Sequence, residues 1–235
     1  MLDTEERRRA AALQRPVDRS RYVAAHLGLR TLLGSYLGLH PGEVVLRREP
    51  CPLCGGPHGR PATTADPALH FSMSHTGDMV LYGIAGTPVG MDIEATATPQ
   101  VVAEVTPHLH PNEQAEIHLL PPGERPAAFT RCWTRKEAYL KGTGTGLAVA
   151  PDSVHLGTRP AHGPHHTIPA PPGWTVIDLD LGDNHHAAAA VAHTTGHPRP
   201  LQTRTRDLRW DCLEGHYRGS SQGTCKRGHG VILEA

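Results

Sequence analysis

Lysine is nearly absent from this chain. It occurs only at positions 136, 141 and 226, although lysine and arginine together number 23, so almost all the positive charge is carried by arginine. Aromatic residues are scarce too, at 4%. So few rings supply no array of stacking platforms interleaved with basic side chains, and 23 acidic residues cancel the basic ones. Binding to nucleic acid or to an anionic membrane through a general positive field is therefore excluded. Nothing approaches the roughly 18 consecutive apolar residues of a membrane span. The opening Met1-Leu2-Asp3-Thr4-Glu5-Glu6 is acidic and lacks the order of a secretory leader, so a cytoplasmic location is expected. Five cysteines, at 51, 54, 132, 212 and 225, form an odd set without regular spacing, which argues against a disulfide scaffold.

What is present suits a globular protein. The chain has 235 residues, 38% of them hydrophobic, enough to bury a core in one broad domain or two small ones. Apolar residues recur at helical spacing from Asp18 to Leu39, and Gly38 and Pro41 close that helix. Val44-Val45-Leu46 reads as a short strand and residues 49–68 as a loop. Leu69–Ser74 and Met79–Ala85 read as strands joined by a His75-Thr76-Gly77-Asp78 turn, and Val89–Glu94 as a third strand completing an antiparallel meander. Asn112 is placed to cap a short helix through Leu120, and a longer helix is expected from about Arg125 to Lys141 or Gly142. Leu147–Leu156, Trp174–Asp180 and Ala187–His193 are strand candidates, although the alanine run at 187–190 also suits a helix. The fold class is α+β, with the order helix then strands appearing twice. Residues 210–235 lose apolar periodicity and read as a disordered tail.

Two clusters carry chemistry. Asp92 and Glu94 alternate on one face of a strand, where two repelling carboxylates would be relieved by a divalent cation such as Mg2+, with phosphate oxygens and water completing its shell. On the helix ending near residue 141, Trp133, Glu137, Leu140 and Lys141 share a side, so Glu137 can complete the cation site while Lys141 reaches a phosphate. By spacing alone, a solvated strand edge and an ordinary i,i+4 surface pair explain the same residues. His75 is either a solvent-facing turn histidine or a phosphate donor. Cys51 and Cys54 form a CxxC with His58 nearby, but no fourth zinc ligand is evident, and a loop with incidental cysteines is favoured.

Three blocks in order settle the choice for the acidic cluster. Phe71-Ser72-Met73-Ser74-His75, then Val89-Gly90-Met91-Asp92-Ile93-Glu94, then Trp133-Thr134-Arg135-Lys136-Glu137-Ala138-Tyr139-Leu140-Lys141-Gly142 resemble the Sfp-type 4'-phosphopantetheinyl transferases. The resemblance implies a cytoplasmic, monomeric enzyme that moves the phosphopantetheine arm of coenzyme A onto a serine of an apo acyl or peptidyl carrier protein of polyketide, nonribosomal peptide or fatty-acid synthases. It implies two similar α+β halves related by a pseudo-twofold axis, here residues 1–95 and 96–209. The family's first strand has no match ahead of Asp3: either the start of the sequence is set too late or the first half lacks an edge strand. Carried over, Asp92, Glu94 and Glu137 would hold Mg2+, and His75 and Lys141 would contact the diphosphate with Ser74 beside them. Arg60, and more loosely Arg7 or Arg8, would meet the adenosine 3'-phosphate end. Lys136 would lend electrostatic support, and Glu137 or a water it orients would take the serine proton.

Overall fold

Asp3 and Glu6 begin the fold by capping each other's backbone: the Asp3 carboxylate accepts from the Glu6 N–H and the Glu6 carboxylate from the Asp3 N–H, both at 2.8 Å. This box starts α1 (Thr4–Ala12) in a computed structural model of the chain. The structure describes residues 1–64, 69–160, 168–182 and 184–193, and the backbone of 204–209 and 229–234. Pro16 opens α2 (Pro16–Leu37), and Gly38, at φ 66°, ends it. Arg30 of α2 is buried and donates to Glu6 and Asp3 at 2.7 Å each and to the Val44 carbonyl at 2.8 Å. The charged N-terminal segment is thus tied to α2 by a buried network rather than left to solvent.

β1 (Leu46–Arg48) pairs with β2 (Pro61–Thr63), so the expected strand lies a little further along and the expected loop contains a strand of its own. β3 (His70–Thr76) and β4 (Met79–Ala85) form a hairpin whose turn is only Gly77-Asp78, with Gly77 at φ 54°. His75 therefore belongs to the strand and not to the turn. β5 (Val89–Ala95) does not extend this hairpin as a meander. It pairs antiparallel with β7 (His185–Ala192), which pairs with β6 (Trp174–Leu179), giving the order β5-β7-β6. The two sheets meet through side chains instead, as where the Met91 N–H donates to Ser72 Oγ at 3.0 Å.

Between the sheets' strands come α3 (Pro99–Val105), α4 (Pro111–Leu119) and α5 (Arg125–Thr143). His110, not Asn112, caps α4, because Pro111 takes the first helical position and the Glu113 carboxylate accepts from the His110 N–H at 3.1 Å. The strand expected over Leu147–Leu156 is absent; two 3-10 turns, Gly146–Ala148 and Pro151–Ser153, stand there. Its carbonyls face cations instead of a neighbouring strand. Lys136, fully buried, donates to the carbonyls of Pro151 and Val154, and Arg135 to those of Leu156 and Gly157. Arg135 also grips Asp178 of β6 at 2.6 Å, fastening α5 to the sheet.

The alanine run is a strand because both of its faces are covered. Ala187 and Ala189 pack with Met91 and Ile93 on one face, and Ala188 and Ala190 with Ala138 of α5 on the other. Gly90 brings the helix closer still: a Cβ at that position would lie 1.9 Å from the Ala138 carbonyl oxygen and 2.3 Å from the Gly142 nitrogen. The stretch expected as a disordered tail contains β9 (His229–Glu234), which runs parallel to β4 and pairs with β8 (Arg204–Arg209), for a sheet order β3-β4-β9-β8. Residues 210–228 and 235 lie outside the described residues.

Lys136 meets Glu113 of α4 at 2.7 Å, with both side chains out of reach of water. Glu113 also accepts from the Leu156 N–H at 2.8 Å. Replacing Glu113 by alanine strands a buried ammonium and an amide, and should destabilise the fold by about 3–5 kcal/mol, read as a lower urea midpoint. An unchanged midpoint would contradict the buried-pair assignment.

Candidate active site

Three elements converge at one point. β3 delivers Ser74 and His75, β5 delivers Asp92 and Glu94, and α5 delivers Glu137 and Lys141. The close approach at Gly90 sets the helix low enough on β5 for Lys141 to reach across it. Its Nζ lies 2.6 Å from Asp92 Oδ1 and 3.1 Å from Ser74 Oγ, and the Ser74 hydroxyl donates to the same Asp92 oxygen at 2.8 Å. Asp92 is buried, yet its second oxygen, Oδ2, has no hydrogen-bond partner among the described residues. That costs free energy unless something else satisfies it.

The other two acids are held uncomfortably close to Asp92. Desolvation first, and then the negative charge of Asp92, push the Glu137 carboxyl above its ordinary pKa. Glu94 is raised for the same two reasons, with Glu137 adding to the repulsion, while Lys141 and a hydrogen bond from Thr76 oppose the rise. His75 is exposed by accessible area, but its surroundings still desolvate the ring; that effect and then the charges of Lys141 and Arg21 hold it below the usual histidine pKa.

The all-oxygen donor set, the partnerless Asp92 oxygen and the mutual repulsion fit a hard divalent cation held by Asp92, Glu94 and Glu137. The three acids do not yet close on a common point. Among the described residues, the group whose ligand atoms all lie within 4.8 Å of one another is Cys51, Cys54 and His58. At the acidic site Lys141 supplies the positive charge beside Asp92.

From Lys141 a cleft of about 510 Å³ runs toward α1 and β1, lined among others by Arg9, His26, Arg47, Arg48 and Arg60. Arg60 is steered into it by Glu49, at 2.7 Å, and by the Gly142 carbonyl, also at 2.7 Å. Asp3, Glu5 and Glu6 line the cleft as well, each paired with an arginine, and the cleft meets the acidic cluster through Lys141, so its arginines can hold phosphates of a multiply phosphorylated molecule with one of them near Lys141.

Of the expected site residues, Ser74, Asp92 and Lys141 are in direct contact, Glu94 and Glu137 feel the charge of Asp92, His75 feels that of Lys141, and Arg60 lines the cleft. Lys136 is a correction: Glu113 and two carbonyls hold its ammonium inside the fold, so it faces no ligand. Arg7 and Arg8 are corrected as well. Exposed Arg8 pairs with Glu5, and Arg7 with the Leu2 carbonyl and Thr4, while Arg9 is the one of the three that lines the cleft. Arg47, Arg48 and His26 were missed. The adjacent arginines on a short strand were a usable signal, whereas His26 becomes visible only once α2 is oriented.

Comparison with known proteins agrees with this geometry. Residues 88–192, which span β5, α5, β6 and β7, match the family model described as the 4'-phosphopantetheinyl transferase superfamily. The chain is 31% identical over 196 residues to 4'-phosphopantetheinyl transferase HetI of Nostoc sp., covering 81% of this chain and 78% of HetI. It is 24% identical over 195 residues to a 4'-phosphopantetheinyl transferase of Bacillus subtilis, covering 82% and 83%. With Sfp of Bacillus subtilis it shares 27% identity over 129 residues, covering 54% and 57%. On the ordered motifs, the acidic site they build and these relatives, the chain belongs to the 4'-phosphopantetheinyl transferase superfamily.

Proposed function

We propose that this protein transfers the 4'-phosphopantetheine arm of coenzyme A to a serine hydroxyl of an apo acyl or peptidyl carrier protein, releasing 3',5'-ADP. The observation that carries the reading is the Ser74–Asp92–Lys141 cluster, with Glu94 and Glu137 beside it, at the end of the arginine-lined cleft. The expected halves, residues 1–95 and 96–209, do not coincide with the sheets: β5 of the first half pairs with β7, and β8 of the second half shares a sheet with β3 and β4 through β9.

In this reading the cleft arginines, Arg60 foremost, hold the 3'-phosphate end of coenzyme A, and Lys141 and His75 hold the diphosphate. The carrier serine oxygen bonds to the β-phosphorus as the bond to the ADP oxygen breaks, and Glu137 takes the serine proton directly or through a water it orients. Mg2+, bound by Asp92, Glu94 and Glu137, would supply neutralisation of the charge that spreads over the phosphate oxygens. Lys141, which donates to Asp92 at 2.6 Å and lines the cleft, would contact the diphosphate from there.

Replacing Arg60 by alanine should weaken coenzyme A binding about tenfold or more, measured by calorimetry, without lowering transfer at saturation to the same extent. Unchanged affinity would remove Arg60 from the binding site.

Proton competition gives a second test. Glu94 and Glu137 bind protons more tightly in the folded chain than an ordinary carboxylate does. Metal-free protein therefore loses that part of its stability as pH rises from the ordinary carboxylate range through the raised values. A divalent cation opposes the loss, so the increase in melting temperature caused by Mg2+ should grow with pH across that window. A Mg2+ effect that is flat or shrinks with rising pH would contradict cation binding at these acids.

A further inference from the structure

The loop between β1 and β2 holds a second cluster, away from the acidic site. Sequence alone favours incidental cysteines there, but the fold brings Cys51, Cys54 and His58 together. Their ligand atoms all lie within 4.8 Å of one another, and Cys54 Sγ is 3.0 Å from His58 Nε2. The backbone is folded around the sulfurs. The Cys51 N–H donates to the Gly56 carbonyl at 2.7 Å and the Gly55 N–H to the Cys51 carbonyl at 2.8 Å, with Gly55 at φ 71°. The Gly56 N–H points at Cys54 Sγ at 3.4 Å, and the Leu53 and Cys54 N–H groups at Cys51 Sγ. Such N–H donors stabilise negative sulfur and orient it, as the outer shell of a metal–thiolate site does. Cys51 is buried, whereas Cys54 and His58 are exposed, so the cluster has one closed and one open side.

Two sulfurs and an imidazole are soft-to-borderline donors that select zinc over the hard cation suited to three carboxylates. Three protein ligands with one position left open is an established zinc arrangement, the fourth position going to water. We propose that Cys51, Cys54 and His58 bind one zinc ion, with water as the fourth ligand. The two thiols give up their protons to solvent on binding, and no redox change is involved. The Gly59 N–H donates to the Glu49 carbonyl at 3.0 Å and the Glu49 N–H to the Arg60 carbonyl at 2.9 Å, so the metal knuckle is joined to the turn that sets Arg60 in the cleft wall. Zinc at this loop would brace the cationic wall. The binding claim does not rest on the transferase reading.

The test is the metal content of the full chain, purified under reducing conditions without chelator. About one zinc per chain is expected, falling severalfold in Cys54→Ser and His58→Ala and unchanged in a Cys212→Ser, Cys225→Ser double variant. Should the site variants fail to fold, the unmutated chain decides: stripped of metal and titrated with Co2+, it should develop the sulfur-to-metal charge-transfer absorption of a tetrahedral thiolate site. A reduced chain that carries no zinc and gives no thiolate–cobalt absorption overturns the proposal. So does zinc that persists undiminished in folded Cys54→Ser.

Discussion

Asp92→Ala is expected to lower phosphopantetheine transfer by about a hundredfold to a thousandfold or more while the protein stays folded. Asp92 links every part of the site. One oxygen receives Ser74 and Lys141, the other has no hydrogen-bond partner among the described residues, and its charge raises the pKa of both neighbouring glutamates. Removing it frees Lys141, whose side chain is 33% exposed and can reach water. It also relieves Glu94 and Glu137, so melting should shift by only a few degrees. Asp92→Asn keeps the volume but not the charge, and should fail almost as completely. Turnover near that of the unmutated protein in either folded variant would mean that the acidic cluster does not serve the reaction.

Gly90→Ala should do the opposite, breaking the structure first and activity with it. The added methyl meets backbone atoms of α5 at 1.9 Å and 2.3 Å, not the flexible end of a side chain, so the helix itself must move off β5. The cost is about 3 kcal/mol or more, the upper end for overpacking, and melting should fall by roughly 6–12 °C in a chain of this size. Because α5 carries Glu137 and Lys141, even the folded fraction should be slow. Gly86, where an added Cβ meets nothing within 4 Å, is the control, and Gly86→Ala should melt close to the unmutated protein. If Gly90→Ala melts there too, close approach of α5 is not what sets the site.

Local spacing placed the acidic residues on shared faces, but it took the three ordered blocks to single them out from a solvated strand edge and a surface ion pair. Two carboxylates two apart on an alternating strand share a face, and Glu137 and Lys141 four apart share a helix side, whatever the tertiary context. The elements that bear them were legible for the same reason. What was hidden depends on partners far away in sequence. Lys136 reads like a second ligand-facing lysine beside Lys141, and only the presence of Glu113 at 2.7 Å shows that it is turned inward. The same lysine and Arg135 draw the carbonyls of residues 151–157 out of any ladder, which is why an apolar run that suits a strand is not one. Asp3-x-x-Glu6 was a capping box in plain view, and its further role in burying Arg30 required α2 to be in place. Parallel pairing of β9 with β4 joins segments far apart in the chain, and no local pattern announces it.

The most direct measurement joins protein, coenzyme A, Mg2+ and an apo carrier protein, and follows the carrier by intact mass. The carrier should gain one phosphopantetheine per reactive serine, none when a chelator removes the divalent cation, and 3',5'-ADP should appear in equal amount. Binding of coenzyme A with no mass gain on any acyl or peptidyl carrier would leave a binding module in place of an enzyme, and would contradict the account.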